Sequence, residues 1–388
     1  MKQYRVGFIG FGFIGRVHAY GHLNLPLFYD PIPCETEITH ICTSRQETAE
    51  KGRRQVGAQF ATTDFRDITD NPAIDIVHIC TPNDVHKEQL LSAVRNNKHI
   101  YCDKPLVVDM EEASEIQAAM EDYQGIAQMT LQNRFFPATI RAKQLVEEGF
   151  LGKVLEFRAS YLHSGSANPH APLKWKLSAQ RGGGVIADLG SHILDLMNYL
   201  LGDYASLLAT TQIAYPDRPA PGDPEARMAV DAEDSVQILA RMQSGSTGTI
   251  EASKLATGTE DELRFEIHGS RGALRFNSMA PHYLEAYDAG AADRPVGGWR
   301  GWNRIDTGQR YPKPAGFPGP KFSIGWLRVH MACLANYLSS LAKGMPAEPG
   351  LEQGIYLQRL IECVRLSAKT ERWVAVEPRR TNEAKQST

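Results

Sequence analysis

The most constraining feature lies in the first fifteen residues, where an apolar strand pattern, YRVGFIG, runs directly into GFGFIG and sets Gly10, Gly12 and Gly15 as GxGxxG. A glycine at the first position permits a tight turn. The second lets a pyrophosphate approach bare backbone, and the third lets helix and strand pack closely. The helix that follows offers unpaired N–H groups and partial positive charge at its start, which suits a phosphate. Phe13 and Ile14, between the last two glycines, are assigned to the same contact. A glycine-rich turn that binds nothing would share the spacing, but the strand before it and the helix after it favour dinucleotide binding.

The next hundred residues continue in kind. EITHICT, DIVHIC, HIYCD and IAQMTLQ are short apolar runs, separated by amphipathic stretches such as HKEQLLSAVRNN and MEEASEIQAAMEDYQ. This alternation predicts a doubly wound parallel sheet covered on both faces, an α/β Rossmann domain over residues 1–133. After Gly152 the texture changes to strands in direct succession, among them KVLEFRASYLH, DSVQILARM, GTIEASKLA and LRFEIHG. Turn signals at Ser244-Gly245 and at 269–272 mark hairpins. Residues 134–388 are therefore read as an α+β domain with a large, mostly antiparallel open sheet. Two closing helical patterns, 325–343 and 352–369, are candidates to pack back on the first domain. Two segments read as loops: 215–224, with four prolines, and 290–320, rich in Gly, Pro and Arg. The second carries Trp299 and Trp302, and is expected to be ordered and to cover a ligand or a neighbouring subunit.

A chain of 388 residues has room for two hydrophobic cores. Its formal charge of -3, without a long basic run, gives no footing for nucleic acid or an anionic membrane and leaves a small neutral or anionic ligand. The six cysteines lack CxxC spacing. They suit buried thiols in a reducing compartment better than disulfides or zinc, so no metal site is expected. The first strand already begins at Tyr4, and no apolar run approaches the ~20 residues of a membrane helix. A cytoplasmic location is the expectation.

The fifth strand, HIYCDKPL, stops on an acid, a lysine and a proline. Proline biases the residue before it toward extended backbone, so Lys104 is kept out of a helix and its amine is aimed at the carboxyl edge of the sheet. There it can hydrogen-bond a substrate oxygen and assist proton loss; a surface ion pair with Asp103 is the bland alternative. The fourth strand ends in Thr81-Pro82-Asn83, where open α/β folds bind ligands, and Asn83 and His86 are within reach of ribose hydroxyls or a nicotinamide. A turn with a helix cap would use the same residues. The second strand ends Cys42-Thr43-Ser44-Arg45 rather than on a ribose-binding acid. Ser44 and Arg45 can meet a 2'-phosphate, so NADP is at least tolerated beside NAD.

Far along the chain, ADLGSHILDLMNYLLG carries two helical stripes. Leu189, Ile193, Leu196 and Leu200 form an apolar one, while Asp188, His192, Asp195 and Tyr199 repeat the spacing one residue earlier. Asp188 and His192 are i,i+4 neighbours able to share one substrate, with the histidine titrating near neutrality. A helix cap and a core histidine would read alike, but Gly182-Gly183-Gly184 just before them offers flexible backbone beside a site.

Taken together, the glycine loop, TPNxxH at 81–86, Lys104-Pro105, NRFFP around Arg134 and Pro137, and DxGxH at 188–192 resemble the glucose-fructose oxidoreductase, inositol 2-dehydrogenase and rhizopine catabolism (Gfo/Idh/MocA) family. The resemblance spans 4 to about 376. It implies NAD(P)-dependent hydride transfer to or from a secondary alcohol of a sugar, glycoside or inositol-type polyol, with Lys104, Asp188 and His192 as the catalytic set. Asp103 stands where the family usually has glutamate. Asp103 and Gln132 are implied as cofactor contacts and Arg134 as a substrate contact, and PLKWKL, which looks like a loop over the sugar, suggests Trp175 as a stacking surface and Lys174 or Lys176 as a hydroxyl partner. A homodimer or homotetramer is expected. Two rival readings are an NAD-retaining redox glycosidase and a catalytically silent cofactor-binding regulator.

Overall fold

The computed structural model describes residues 2–379. Its first half alternates as β1 (Gln3–Ile9), α1 (Phe13–Phe28), β2 (Glu35–Cys42), α2 (Gln46–Val56), β3 (Phe60–Thr62), α3 (Arg66–Thr69), β4 (Ile76–Ile79), α4 (His86–Arg95), β5 (His99–Cys102), α5 (Met110–Ala119) and β6 (Ala127–Met129). All neighbouring pairs are parallel, in the order β3-β2-β1-β4-β5-β6. β4 is buried throughout, because helices cover both faces and no position on it can face water. Strand order reverses between β1 and β4, so the loops leaving them diverge and open a crevice at their carboxyl ends.

The second half runs α6 (Pro137–Glu147), β7 (Val154–Leu162), α7 (Ser191–Leu201), β8 (Tyr204–Gln212), β9 (Asp217–Ala220), β10 (Asp223–Ala229), β11 (Ser235–Met242), β12 (Thr247–Ser253), β13 (Glu262–Gly269), β14 (Gly272–Asn277), β15 (Tyr283–Asp288), β16 (Trp302–Asp306), α8 (Trp326–Lys343), α9 (Leu351–Thr370) and β17 (Val374–Ala375). Nine of these strands form one sheet, antiparallel except where β12 meets β7. β11 alternates buried and exposed side chains along most of its length, as a sheet with one packed face requires.

Two loop expectations are corrected. Residues 215–224 contribute to a separate antiparallel hairpin of β9 and β10, since their prolines sit where no ladder donor is needed at an edge. The segment 290–320 hides a five-residue strand, β16, that extends the large sheet. Trp302 lies 4.2 Å from the Arg275 guanidinium and packs near Tyr287, so it is a sheet-edge aromatic, while Trp299 is exposed. The rest of that segment returns to the end of α1, where Ala315 pairs with Tyr29 and Phe317 meets Phe28. It covers no part of the crevice.

α8 places Leu334, Leu338 and Leu341 against Tyr4, Val6 and Phe8 of the first sheet. A second core runs from Val77, Ile79 and Leu90 through α9 to Ile193, Phe157 and Ile250, so apolar packing is continuous between the two sheets. Among the described residues no helix is long and apolar enough to cross a membrane.

Arg134, expected on the substrate, is instead buried in a bidentate pair with Asp195 of α7, its Nε 2.8 Å from Oδ2. Gln353 donates to the same carboxylate at 2.7 Å, and the Tyr199 ring lies 4.8 Å from the guanidinium. Asp195 and Tyr199 thus serve this pair and leave the chemical stripe to Asp188 and His192. Removing one member of a buried ion pair leaves an uncompensated charge. Arg134→Met should therefore destabilise the protein by about 3–5 kcal/mol in chemical denaturation, with the KM for substrate unchanged in the folded enzyme.

Candidate active site

The crevice between the sheets holds about 1080 Å³. From the first domain it is lined by Gly10, Gly12, Phe13 and Ile14, by Ser44 after β2, by Thr81, Pro82 and Asn83 after β4, by Asp103 and Lys104 after β5, and by Gln132. Gly10 has φ of +89°, and a Cβ there would strike the Cys80 carbonyl oxygen at 2.5 Å. Glycine is thus required where the first and fourth strands' loops touch. Gly12 looks onto open space and starts α1 without any side-chain cap, leaving its N–H groups free for an anion. A Cβ on Gly15 would meet the Gly10 carbonyl at 2.5 Å, so Gly15 packs helix on loop and does not line the crevice.

The second domain supplies the opposite wall through Trp175, Lys176, the 182–184 glycine run, Asp188 and His192. A Cβ on Gly183 would collide with the Lys176 carbonyl at 2.6 Å, which shows why glycines stand here: they let the Trp175 turn press against the start of the helix. Asp188 sits in a π-helical turn, Ile186–Gly190, continuous with α7. Such wide turns occur often at functional sites, because they redirect one side chain without ending the helix.

Three lysines hold Asp188. Lys104 Nζ donates to its backbone carbonyl at 2.6 Å and lies 3.2 Å from Oδ1; Lys176 is 2.9 Å from Oδ1, and Lys254 is 3.0 Å from Oδ2. Burial alone would raise the Asp188 carboxyl, but Lys104, Lys254 and Lys176 overcome it and hold it well below the usual carboxylate range. Burial lowers the Lys104 ammonium, with Asp188 opposing and Lys176 assisting. Burial, then the Lys104 charge, keeps His192 well below 6.5, so it is a neutral imidazole at neutral pH. Its Nδ1 has no partner among the described residues.

Several expected contacts fall elsewhere. His86 does not line the crevice: Nε2 faces the Thr81 carbonyl at 2.9 Å and Nδ1 faces those of Pro105 and Leu106 at 3.1 and 3.2 Å. It fastens the Lys104-Pro105 turn to the end of β4 and is a positioning residue. Arg45 is exposed at the start of α2, outside the lining. Asn83 lines the crevice, yet its amide donates to the Gly182 carbonyl at 2.8 Å, and Asp84 pairs with Arg181 at 2.7 Å. These contacts clasp one domain to the other. Lys174 is exposed and outside the lining.

Lys254, immediately after β12, went unanticipated. The sequence signal was a lone lysine closing the strand pattern GTIEASKLA, a place where solvation is the ordinary reading. His330 and Trp326, one turn apart on α8, also line the crevice with rings 4.2 Å apart. Burial and the Lys104 charge push His330 down to about 3, and neither of its nitrogens has a partner among the described residues.

The profile described as "Oxidoreductase family, NAD-binding Rossmann fold" matches residues 4–131, and the GFO/IDH/MocA C-terminal domain matches 139–275. The chain belongs to the GFO/IDH/MocA oxidoreductase family. Within the family, levoglucosan dehydrogenase of Pseudarthrobacter phenanthrenivorans is 31% identical, over 97% of this chain and 99% of that protein. Inositol 2-dehydrogenase of Rhizobium meliloti is 24% identical, over 96% and 99%. A solved levoglucosan dehydrogenase in complex with NADH and levoglucosan superposes with a TM-score of 0.92 at 31% identity, over 97% of this chain and 100% of that one.

Two substitutions test the electrostatics of this GFO/IDH/MocA site. In Asp188→Asn the charge that raises Lys104 is gone, so the lysine loses its proton at lower pH. The alkaline limb of the kcat/KM profile should then move to lower pH. Lys254→Met loosens Asp188 and should reduce kcat/KM on the order of 10²-fold, with dinucleotide affinity retained.

Proposed function

We propose that the protein is a dehydrogenase that oxidises a secondary hydroxyl of a sugar or inositol-type polyol with a nicotinamide dinucleotide. The observation that carries this reading is the Lys104 amine, delivered by β5, hydrogen-bonded to Asp188 one helical turn before His192, with all three groups lining one crevice. The crevice suits a dinucleotide. Bare N–H groups at the start of α1, open space at Gly12 and the unpartnered buried nitrogens of His330 are all groups that a ligand would satisfy.

A bound nicotinamide supplies the two-electron acceptor for the hydride that leaves the carbinol carbon. The residues of the chain manage the oxygen and its proton. His192, neutral through burial, has a lone pair free to take the hydroxyl proton as the carbonyl forms. Lys104 donates to the same oxygen and stabilises the charge that develops there, while Asp188 fixes the direction of the amine. Trp175 and Lys176 offer a stacking face and a hydroxyl partner on the sugar side.

The test follows reduced-nicotinamide absorbance with levoglucosan, inositols, pyranoses and glycosides. Reduced cofactor should accumulate with at least one of them. Lys104→Ala and His192→Ala should each lose on the order of 10²-fold or more in turnover while still binding cofactor. Near wild-type turnover in both variants would contradict the assignment. Release of aglycone without reduced cofactor would point to a redox glycosidase instead.

The reading extends to the cofactor and to assembly. β2 contributes no carboxylate to the lining, so nothing on that strand repels a 2'-phosphate, and acceptance of NADP beside NAD is the proposal that the ratio of the two KM values checks. Association with further copies of the chain, as a dimer or tetramer, belongs to the same proposal, and a monomeric mass in solution would contradict it.

A further inference from the structure

α1 carries His18 and His22 one turn apart on the face that packs against the sheet. β4 carries His78, and Cys80 follows two residues on, so both side chains point to the same side of that sheet. All four are buried. His18 Nδ1 lies 3.2 Å from His78 Nδ1 and 3.2 Å from Cys80 Sγ, and the three donor atoms are all within 4.8 Å of one another.

The outer contacts of the cluster allow its protons to run in either of two directions. Thr130 donates its hydroxyl to the Cys102 carbonyl at 3.1 Å, so it is free to accept from His18 Nε2 at 3.5 Å. His78 Nε2 faces His22 Nε2 at 2.9 Å, and His22 Nδ1 faces the Thr36 hydroxyl at 2.9 Å. Run inward, Thr36 donates to His22, His22 to His78 and His78 to His18, and these contacts are satisfied without an ion; run outward, His78 donates to His22, which donates to Thr36, while His18 donates to Thr130. The outward arrangement turns two imidazole lone pairs toward each other and toward a sulfur, with all three side chains buried. Lone pairs so close repel, and the thiol has only one proton to offer the two of them. A cation at their centre would select the outward arrangement and satisfy all three donors at once.

We propose that His18 Nδ1, His78 Nδ1 and Cys80 Sγ form a structural site for one Zn²⁺ ion. Two imidazoles and a thiolate without any carboxylate suit Zn²⁺ and disfavour Mg²⁺ or Ca²⁺. The three side chains would fill three corners of a zinc tetrahedron and leave the fourth to a water; bonds of about 2.0–2.1 Å to nitrogen and about 2.3 Å to sulfur set those donors about 3.3–3.6 Å apart. The two contacts of His18 therefore need to open by only a few tenths of an ångström, while His78 Nδ1 and Cys80 Sγ, within 4.8 Å of each other, settle on the same ion. The second shell is already in place through Thr130 and the His22–Thr36 relay, as zinc-bound imidazoles require. Phe8 stacks on His78 at 4.4 Å and Tyr101 packs edge-on to His18 at 4.9 Å, so the rings are held where they stand. The ion would tie the helix behind the glycine loop to the strand that ends in Thr81-Pro82-Asn83. It would brace the floor between the two loops that open the crevice and take no part in the chemistry above it. This inference does not depend on the substrate proposed for that chemistry.

The test uses the full chain, stripped by a chelator and then dialysed against Zn²⁺ or against Mg²⁺. One Zn²⁺ per chain should be retained and the melting temperature should rise by roughly 2 °C or more, with Mg²⁺ giving neither effect. Co²⁺ added in place of Zn²⁺ should give a thiolate charge-transfer band and the intense visible absorption of a tetrahedral ion. Cys80→Ser and His78→Phe should abolish retention and the cobalt spectrum. If those variants fail to fold, the wild-type cobalt spectrum decides by itself. Failure of the wild-type chain to retain stoichiometric Zn²⁺, a cobalt spectrum without thiolate character, or folded variants that bind as before would overturn the proposal.

Discussion

The grip of three lysines on one carboxylate is the interaction on which the proposed chemistry depends. Lys104 comes from the end of β5, Lys176 from the turn after β7 and Lys254 from the end of β12, and all converge on Asp188. A unit pair at 4 Å is worth roughly 4 kcal/mol at the effective dielectric of a partly buried site. Three such attractions outweigh the penalty of burying the carboxylate, which is why Asp188 stays ionised. The carboxylate cannot balance all three cations. Burial, with the Lys104 charge adding to it, holds His192 neutral, burial lowers the proton affinity of Lys104, and the surplus positive charge suits the oxygen anion that develops as an alcohol gives up its proton.

The fold supplies this meeting from two sides. Strand order reverses between β1 and β4, and the loops diverging there make room for a dinucleotide. The second domain brings its helix to the same place because glycines at 182–184 allow the Trp175 turn and the end of β4 to approach closely. Asn83 to Gly182 and Asp84 to Arg181 then lock the walls together, while His86 holds the lysine-bearing turn to β4. Residues that looked like ligands in the sequence are here the frame around the site.

What the sequence revealed follows from locality. The glycine loop, the strand ends and the Asp188–His192 spacing are short-range patterns whose geometry is set by backbone sterics, so they could be read directly. Arg134 could not, since its partner Asp195 lies 61 positions away and a buried arginine looks the same in sequence as one reaching for a sugar. Lys254 was hidden for a related reason: only the parallel pairing of β12 with β7 carries the end of that strand to the crevice. β16 was masked by the Gly, Pro and Arg around it, though WNRID itself pairs along its whole length with β15. The π-helical turn at 186–190 changes the phase of the helix between Asp188 and His192, a break in period that no helical count shows.

The most direct measurement is a crystal structure of the protein with reduced dinucleotide and a sugar it turns over. The account predicts one sugar oxygen within hydrogen-bond distance of both the Lys104 amine and the His192 imidazole, with Asp188 still bound to the lysine. A sugar whose reacting oxygen touches neither group, or lies outside the crevice between the two sheets, would contradict it.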